Sequence, residues 1–294
     1  MYEKLTQCPL CKSGHFNNFI VVKDHAISQE SFSLCKCSNC NFLFTNPRPD
    51  QQHIAQYYNS ENYISHQDAA SNLTNLIYKL VRKFTLRQKV AWINEFSKTK
   101  GRLLDFGCGT GYFLKAAEKD GWKAVGFEPN SIASAIAKNK HKLNVYEDPT
   151  SLENEKKFDA ITLFHVLEHV HDLEGTLRML LSKLKQRGNL YIAVPNYDSY
   201  DSGLYKEDWA SLDVPRHLYH FTKATMERLA KEYNLKVRAL KPMQFDSYYV
   251  SILSEGYINN KNKIINSLKN GYKSNKIAKK ENNYSSLLFV LKKA

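Results

Sequence analysis

No apolar run in this chain of 294 residues approaches the roughly 18 consecutive residues that a membrane-spanning helix needs. A membrane span is therefore not expected. The first residues, Met1 to Gln7, also lack the apolar stretch of a secretory signal, so a cytoplasmic location is the expectation. Cysteines number only six, and they are not spread as a disulfide framework. Five of them fall in the first 40 residues in paired spacing, which in a reducing compartment reads as metal binding. No internal repeat is visible. What remains is ordinary for a folded globular protein: 43% hydrophobic and 24% charged residues.

Acidic residues are the scarcer charge, and the formal net charge is +13. Its location matters. Residues 101–255 hold 21 basic and 21 acidic residues, whereas residues 256–294 hold nine lysines against Glu281 alone. The excess therefore sits at the two ends. It suits nucleic acid, anionic lipid or a nucleotide-linked substrate. A charge run identifies no partner by itself, and the reading adopted is a set of solvated lysines.

Short β-like runs accompany the cysteines, and Pro47 and Pro49 punctuate the exit at about residue 45. A short helix is expected over 50–59. Leu73, Leu76, Ile77, Leu80, Val81 and Phe84 recur at gaps of three and four, which predicts an amphipathic helix over 72–97. The segment 46–98 then reads as a helical linker or cap over the next domain. From residue 99 onward, apolar strands at 103–106, 124–128, 143–146, 158–164 and 190–194 alternate with helical stretches. That order predicts an α/β fold, a doubly wound, Rossmann-like sheet with right-handed crossovers. Strands near 235–248 and 284–291 bring it to seven. The aromatic-rich stretch 196–221 is expected to be a mobile lid, and the polar 257–283 to be mobile as well.

The central signal is Leu103-Leu104-Asp105-Phe106-Gly107-Cys108-Gly109-Thr110-Gly111. It follows a predicted strand and opens a helix, as a nucleotide-binding loop does. Glu128 ends the next strand, where a carboxylate can accept hydrogen bonds from a ribose diol. The third glycine arrives one position too early for a dinucleotide fingerprint. Asp105 would repel a pyrophosphate but attract a cationic amino-acid group. S-adenosylmethionine carries an ammonium and a sulfonium and no phosphate.

Asp105 followed by Gly107, Gly109 and Gly111 resembles the first motif of the class I S-adenosylmethionine-dependent methyltransferases. Glu128 resembles that family's ribose-binding acid. Phe158-Asp159-Ala160-Ile161 through Leu167-Glu168-His169-Val170 is similar to the fourth-strand motif of the ubiquinone-biosynthesis O-methyltransferase branch. The resemblance covers about residues 100–195 most fully. It implies S-adenosylmethionine as cofactor, bound by Asp105, Gly107, Cys108, Gly109, Gly111, Glu128, Pro129, Phe164 and His165, with the end of the fourth strand beside the transferable methyl.

Cys8-Pro-Leu-Cys11 and Cys37-Ser-Asn-Cys40 are two CxxC knuckles whose thiolates suit a tetrahedral structural zinc ion. Cys35 could replace Cys37 in another register. The module 1–45 resembles N-terminal zinc motifs of some bacterial sugar and natural-product methyltransferases.

His165-x-x-Glu168-His169 matches an inverted zinc-protease motif, but it follows a strand rather than lying on one long helix. In the ubiquinone branch, Glu-x-x-Glu-His can bind a divalent metal, but here His165 replaces the first acid, and Glu168 and His169 are read as structural, bonding nearby backbone. Three histidines are candidates to remove the acceptor's proton: His217, His220 and His165. The plainer alternative is that Thr222 caps a helix and His220 packs beside it.

The expected function is methyl transfer to a small-molecule acceptor, a sugar or natural-product intermediate. The alternatives are an RNA methyltransferase and an inactive binding module. A neutral catalytic region favours the first over the second, and the intact loop with Glu128 disfavours the third.

Overall fold

The computed structural model describes residues 1–58 and 73–294, and for 73–80 the backbone only. The expected short helix at 50–59 is a 3-10 turn at Ile54–Tyr58. The start of the helix expected from 72, and residues 59–72 of the expected cap, lie outside the described residues.

Five short strands come first: β1 (Tyr2–Glu3), β2 (Phe16–Lys23), β3 (Ser31–Cys37), β4 (Leu43–Thr45) and β5 (Arg48–Pro49). Helix α1 (Leu73–Phe96) leads into β6 (Arg102–Phe106), α2 (Tyr112–Lys119), β7 (Lys123–Phe127), α3 (Ser131–His141), β8 (Val145–Tyr146), β9 (Phe158–Phe164), α4 (Leu173–Lys183) and β10 (Leu184–Pro195). The chain continues through α5 (Tyr200–Tyr205), β11 (Tyr219–His220), α6 (Lys223–Glu232), β12 (Leu235–Pro242), α7 (Asp246–Tyr257), α8 (Lys263–Glu281) and β13 (Ser286–Lys293). Among the described residues, no helix is long and apolar enough to cross a membrane.

The expected seven-stranded sheet is present, in the order β12-β13-β10-β9-β6-β7-β8. Strands β6 to β10 run parallel, and β13 is antiparallel to both its neighbours. Helices cover both faces, so the strands are apolar at consecutive positions. Leu104, Ile161, Leu163, Leu190 and Ile192 enter one core, while Leu103, Ala160, Tyr191 and Ala193 enter the other. Full burial of one such leucine or isoleucine contributes about 1.5–3 kcal/mol. The direction of winding reverses between β6 and β9, which opens a crevice at their carboxyl ends.

Two expectations are corrected. The stretch 257–283 is not a loose connection, because α8 fills most of it. Its inner stripe is Ser267, Gly271, Ser274 and Ala278. These small residues let α8 lie close to α7: a Cβ on Gly271 would sit 2.5 Å from Tyr248 Cδ1. The stretch 196–221 is not a free lid either. Trp209, Leu212, Val214 and Leu218 are buried, and the Trp209 indole donates to Asp201 at 2.9 Å.

Strand β11 explains that second correction. It pairs with β4, giving a four-stranded sheet in the order β11-β4-β3-β2. A piece of the insertion thus completes the sheet of the cysteine module. The module is not detached: Cys8, Phe42 and Phe44 share one apolar core with Tyr219, Phe221 and Ile161.

Candidate functional site

The glycine loop caps the carboxyl end of β6. The N–H groups of Gly107 and Cys108 both donate to the Phe127 carbonyl, at 2.8 and 3.0 Å, which ties the loop to the end of β7. The three glycines have positive φ, and they do different work. A Cβ on Gly107 would collide with Val166 Cγ2 at 2.4 Å, and one on Gly111 with Leu143 Cδ1 at 2.6 Å, so those positions permit close packing. A Cβ on Gly109 would meet nothing within 4 Å. Gly109 therefore presents bare backbone to open space, as a loop that cradles a ligand requires.

Glu128 holds that loop in place. One carboxylate oxygen accepts from Gly109 N at 2.8 Å and the other from Asn130 N at 2.9 Å. Each oxygen keeps a second acceptor lobe for a ribose diol. Burial raises the carboxyl's pKa against the pull of those two N–H groups. Asp105 is buried below the loop and accepts from the Thr162 hydroxyl at 2.7 Å. Burial pushes its pKa up to about 7, opposed by Thr162 and by Lys89. A cationic ligand would draw it back to the ionised form. Phe164 packs edge-on against Phe113, with the Lys89 ammonium 4.2 Å from its ring. Pro129 is exposed beside Glu128, and Cys108 is buried toward β7, where a Cβ on Gly126 would meet its sulfur at 2.7 Å. Asp105, Gly107, Gly109, Glu128, Phe164 and His165 thus converge at the ends of three adjacent strands.

The histidines sit in three different settings. His165 has φ +58°, a left-handed conformation that costs a non-glycine residue about 1–3 kcal/mol. Its Nε2 lies 3.0 Å from Asp246 and its Nδ1 3.4 Å from Glu168. Burial lowers its pKa, but the two carboxylates outweigh burial and push it up to about 9. An imidazolium engaged on both nitrogens is a poor proton acceptor. His220 is buried against the cysteine module, 3.3 Å from the Thr45 hydroxyl, and burial takes its pKa down to about 3. Thr222 does cap α6, accepting from Thr225 N at 3.1 Å.

His217 is placed differently. Its Nδ1 donates to the Ser211 carbonyl at 2.8 Å, which leaves Nε2 as the nitrogen with a lone pair. His169 has the same arrangement, with Nδ1 3.0 Å from the Arg216 carbonyl, and burial drops its pKa to about 4. One ring nitrogen from each of these histidines and a Glu168 oxygen lie within 4.8 Å of one another. Glu168 is fully buried, and apart from the 3.4 Å ion pair with His165 its carboxylate oxygens have no hydrogen-bond partner among the described residues. The trio could hold a divalent cation, since metal-binding imidazoles are commonly oriented by a carbonyl on the other nitrogen.

Distant parts of the chain fix this wall. Arg216 is buried and reaches Asp24 and Asp213 at 2.8 and 2.6 Å, and it donates to the Tyr57 carbonyl at 2.9 Å. Leu218 N donates to the Glu168 carbonyl at 2.7 Å, and the Thr45 hydroxyl to the His217 carbonyl at 2.8 Å. Sequence reasoning gave no role to Asp24, Lys89, Thr162 or Asp246. Asp24, Lys89 and Asp246 stand in no recognisable motif, Thr162 lies within the fourth-strand motif without a signal of its own, and only tertiary contact reveals what they do.

The four sulfurs of Cys8, Cys11, Cys37 and Cys40 lie within 4.8 Å of one another. Cys8 and Cys40 are 3.6 Å apart, as are Cys11 and Cys37. The Cys40 thiol stabilises a Cys8 thiolate and lowers its pKa to about 5. Four convergent sulfurs of this kind fit a tetrahedral metal ion. Cys35 is outside the cluster, its thiol turned to Asn18 and the Asn46 carbonyl, so the register through Cys37 is the one formed.

The family model described as methyltransferase domain matches residues 80–240. The ubiquinone biosynthesis O-methyltransferase of Pelagibacter ubique (strain HTCC1062) is 27% identical over 157 residues, which are 49% of this chain and 65% of that protein. Its counterpart from Rickettsia bellii (strain OSU 85-389) is 22% identical over 156 residues, with the same coverage. The chain thus spans less than two thirds of these relatives. Among solved structures, magnesium protoporphyrin IX methyltransferase from Synechocystis PCC 6803 with bound SAH superimposes with a TM-score of 0.55 at 14% identity, covering 83% of this chain and 100% of that one. The plantazolicin methyltransferase complexed with SAH gives 0.51 at 18% identity, covering 81% and 93%. At these identities the likeness is one of fold.

Proposed function

Since the chain belongs to the methyltransferase-domain family, we propose that it methylates a small-molecule acceptor seated between the end of β9 and the Glu168, His169 and His217 cluster. It is a class I S-adenosylmethionine-dependent methyltransferase. The observation that carries the reading is Glu128, which braces the bare backbone of Gly109 while keeping acceptor lobes for a ribose. S-adenosylmethionine, when bound, supplies a sulfonium-activated methyl for in-line displacement. Gly107 and Gly109 would line its amino-acid portion, Asp105 would balance its ammonium, and Glu128 would hold its ribose.

The protein's remaining task is to orient the acceptor and take its proton. His217 is the base in this reading, because Ser211 fixes its tautomer and leaves the lone pair on Nε2, which lies 3.9 Å from the Asp213 carboxylate. His165 serves instead as a charged strut between Asp246 and Glu168. The cysteine module carries a structural zinc ion on Cys8, Cys11, Cys37 and Cys40, and buttresses the acceptor wall through β4 and Asp24.

His217→Ala should lower turnover by ~10²–10⁴-fold with affinity for the cofactor almost unchanged. Equal turnover in the variant removes His217 from the chemistry. A second reading rests on the buried carboxylate of Glu168, which makes an ion pair with His165 but no hydrogen bond: the trio holds a divalent cation that polarises the acceptor oxygen. Elemental analysis separates the two. One metal per chain supports the proton-acceptor reading, and a second metal that disappears in Glu168→Gln supports the cation.

A further inference from the structure

Helix α8 is inside out for a helix on a folded domain. Its buried positions are all small, while Ile264, Ile265, Leu268 and Tyr272 are 73%, 57%, 55% and 62% exposed. A surface helix normally turns its large apolar residues to the core. The inner seam is complete without them. Ser247 Oγ donates to the Gly271 carbonyl at 3.2 Å, and Ser274 Oγ to Asp201 at 2.8 Å.

The exposed residues are not scattered. At 3.6 residues per turn, Ile264, Leu268, Tyr272 and Ile265 fill one stripe about 100° wide. Lys269, Lys276 and Lys280, all exposed, form a second stripe directly beside it. Ile258, before the helix, and Tyr249 and Ile252, on α7, are exposed as well. Single apolar residues at a surface need no explanation, but a contiguous set of large ones does.

Charge decides among the occupants. Helix α8 itself carries six lysines against Glu281 alone. Two copies meeting through this face would bring those lysines together. A nucleic acid would satisfy the lysines and leave the isoleucines in water. An anionic bilayer satisfies both, since headgroups pair with lysine while isoleucine, leucine and tyrosine enter the acyl boundary. We propose that the α7–α8 face docks the protein peripherally on anionic phospholipid membranes. The docking face and the catalytic centre share a helix, because Asp246 in the first turn of α7 is the partner of His165.

The test is co-sedimentation of the full chain with phosphatidylcholine vesicles, with and without phosphatidylglycerol. Binding is expected on the anionic vesicles and nearly absent on the neutral ones. Ile264→Ser with Leu268→Ser, and separately Lys269→Glu with Lys276→Glu, should each weaken it about tenfold or more. All four positions are exposed, so both variants should bind S-adenosylhomocysteine like the wild type, which shows that they fold. No vesicle binding, equal binding to neutral vesicles, or wild-type binding by both variants overturns the proposal. So does a dimer dispersed by the serine variant, or RNA binding through these lysines, when vesicles are ignored.

Discussion

The two halves of the candidate site are built on different principles. The proposed cofactor half is built largely from one stretch of chain, in which Asp105, the glycine loop and Glu128 are joined by strand pairing and by the Gly109 N–H to Glu128 carboxylate bond, with the end of β9 beside them. The acceptor half is assembled from afar, with Arg216 bonded to Asp24 across 192 positions and β11 paired with β4. A local site survives damage elsewhere, whereas an assembled one depends on every contributor. In the proposed reading the cysteine module is therefore part of the acceptor wall rather than an appendage.

The largest effect should come from removing the proposed metal ligands. Cys8→Ser with Cys11→Ser should lose the zinc, strip amide protection from residues 16–45 and lower turnover by on the order of 10²-fold through misplacement of the acceptor wall. Binding of S-adenosylhomocysteine should persist. If the variant loses both halves together, the comparison fails.

Arg216→Ala comes next. It leaves the Asp24 and Asp213 carboxylates facing each other without their cation, in a site where Asp24 is wholly buried. Breaking such a pair costs about 3–5 kcal/mol, readable as a lowered denaturation midpoint. A loss below about 1 kcal/mol would mean that the network resembles an exposed ion pair.

A smaller effect belongs to the cofactor half. The folded-state pKa of Asp105 is about 7, above its ordinary 3.8. Folding therefore favours the protonated acid, and stability without ligand should decline as pH rises from about 4 through 7. A cationic ligand prefers the ionised acid, so affinity for S-adenosylmethionine should rise by up to about tenfold per pH unit below 7 and flatten above it. Calorimetry across pH 5 to 9 checks this, and Asp105→Asn should flatten the profile. A flat profile in the wild type would place the ammonium elsewhere.

The same division governs what was legible in the sequence. The strands β6, β7, β9 and β10 announce themselves as apolar runs, and the loop and Glu128 follow from their ends. The CxxC pairs are local too. Helix α8 was missed because its core-facing residues, Ser267, Gly271, Ser274 and Ala278, carry no apolar signal. The stretch 196–221 read as a lid because it has no period. It is a run of short helical turns and a two-residue strand held by Trp209 and Arg216 through partners that no local pattern predicts. Strand β11 is two residues long, too short to show as an alternation. His165, His217 and His220 were equivalent as letters, and only their partners separate a strut, a base and a packed side chain.

The most direct test of the account is the grip of Glu128 on the loop and the ligand. Titration calorimetry of the wild type with S-adenosylmethionine and S-adenosylhomocysteine should show binding of both. Glu128→Ala should weaken it by ~1–3 kcal/mol, from the lost hydrogen bonds to a charged group. Unchanged affinity in the variant, or a wild-type preference for NAD over S-adenosylmethionine, would contradict the account.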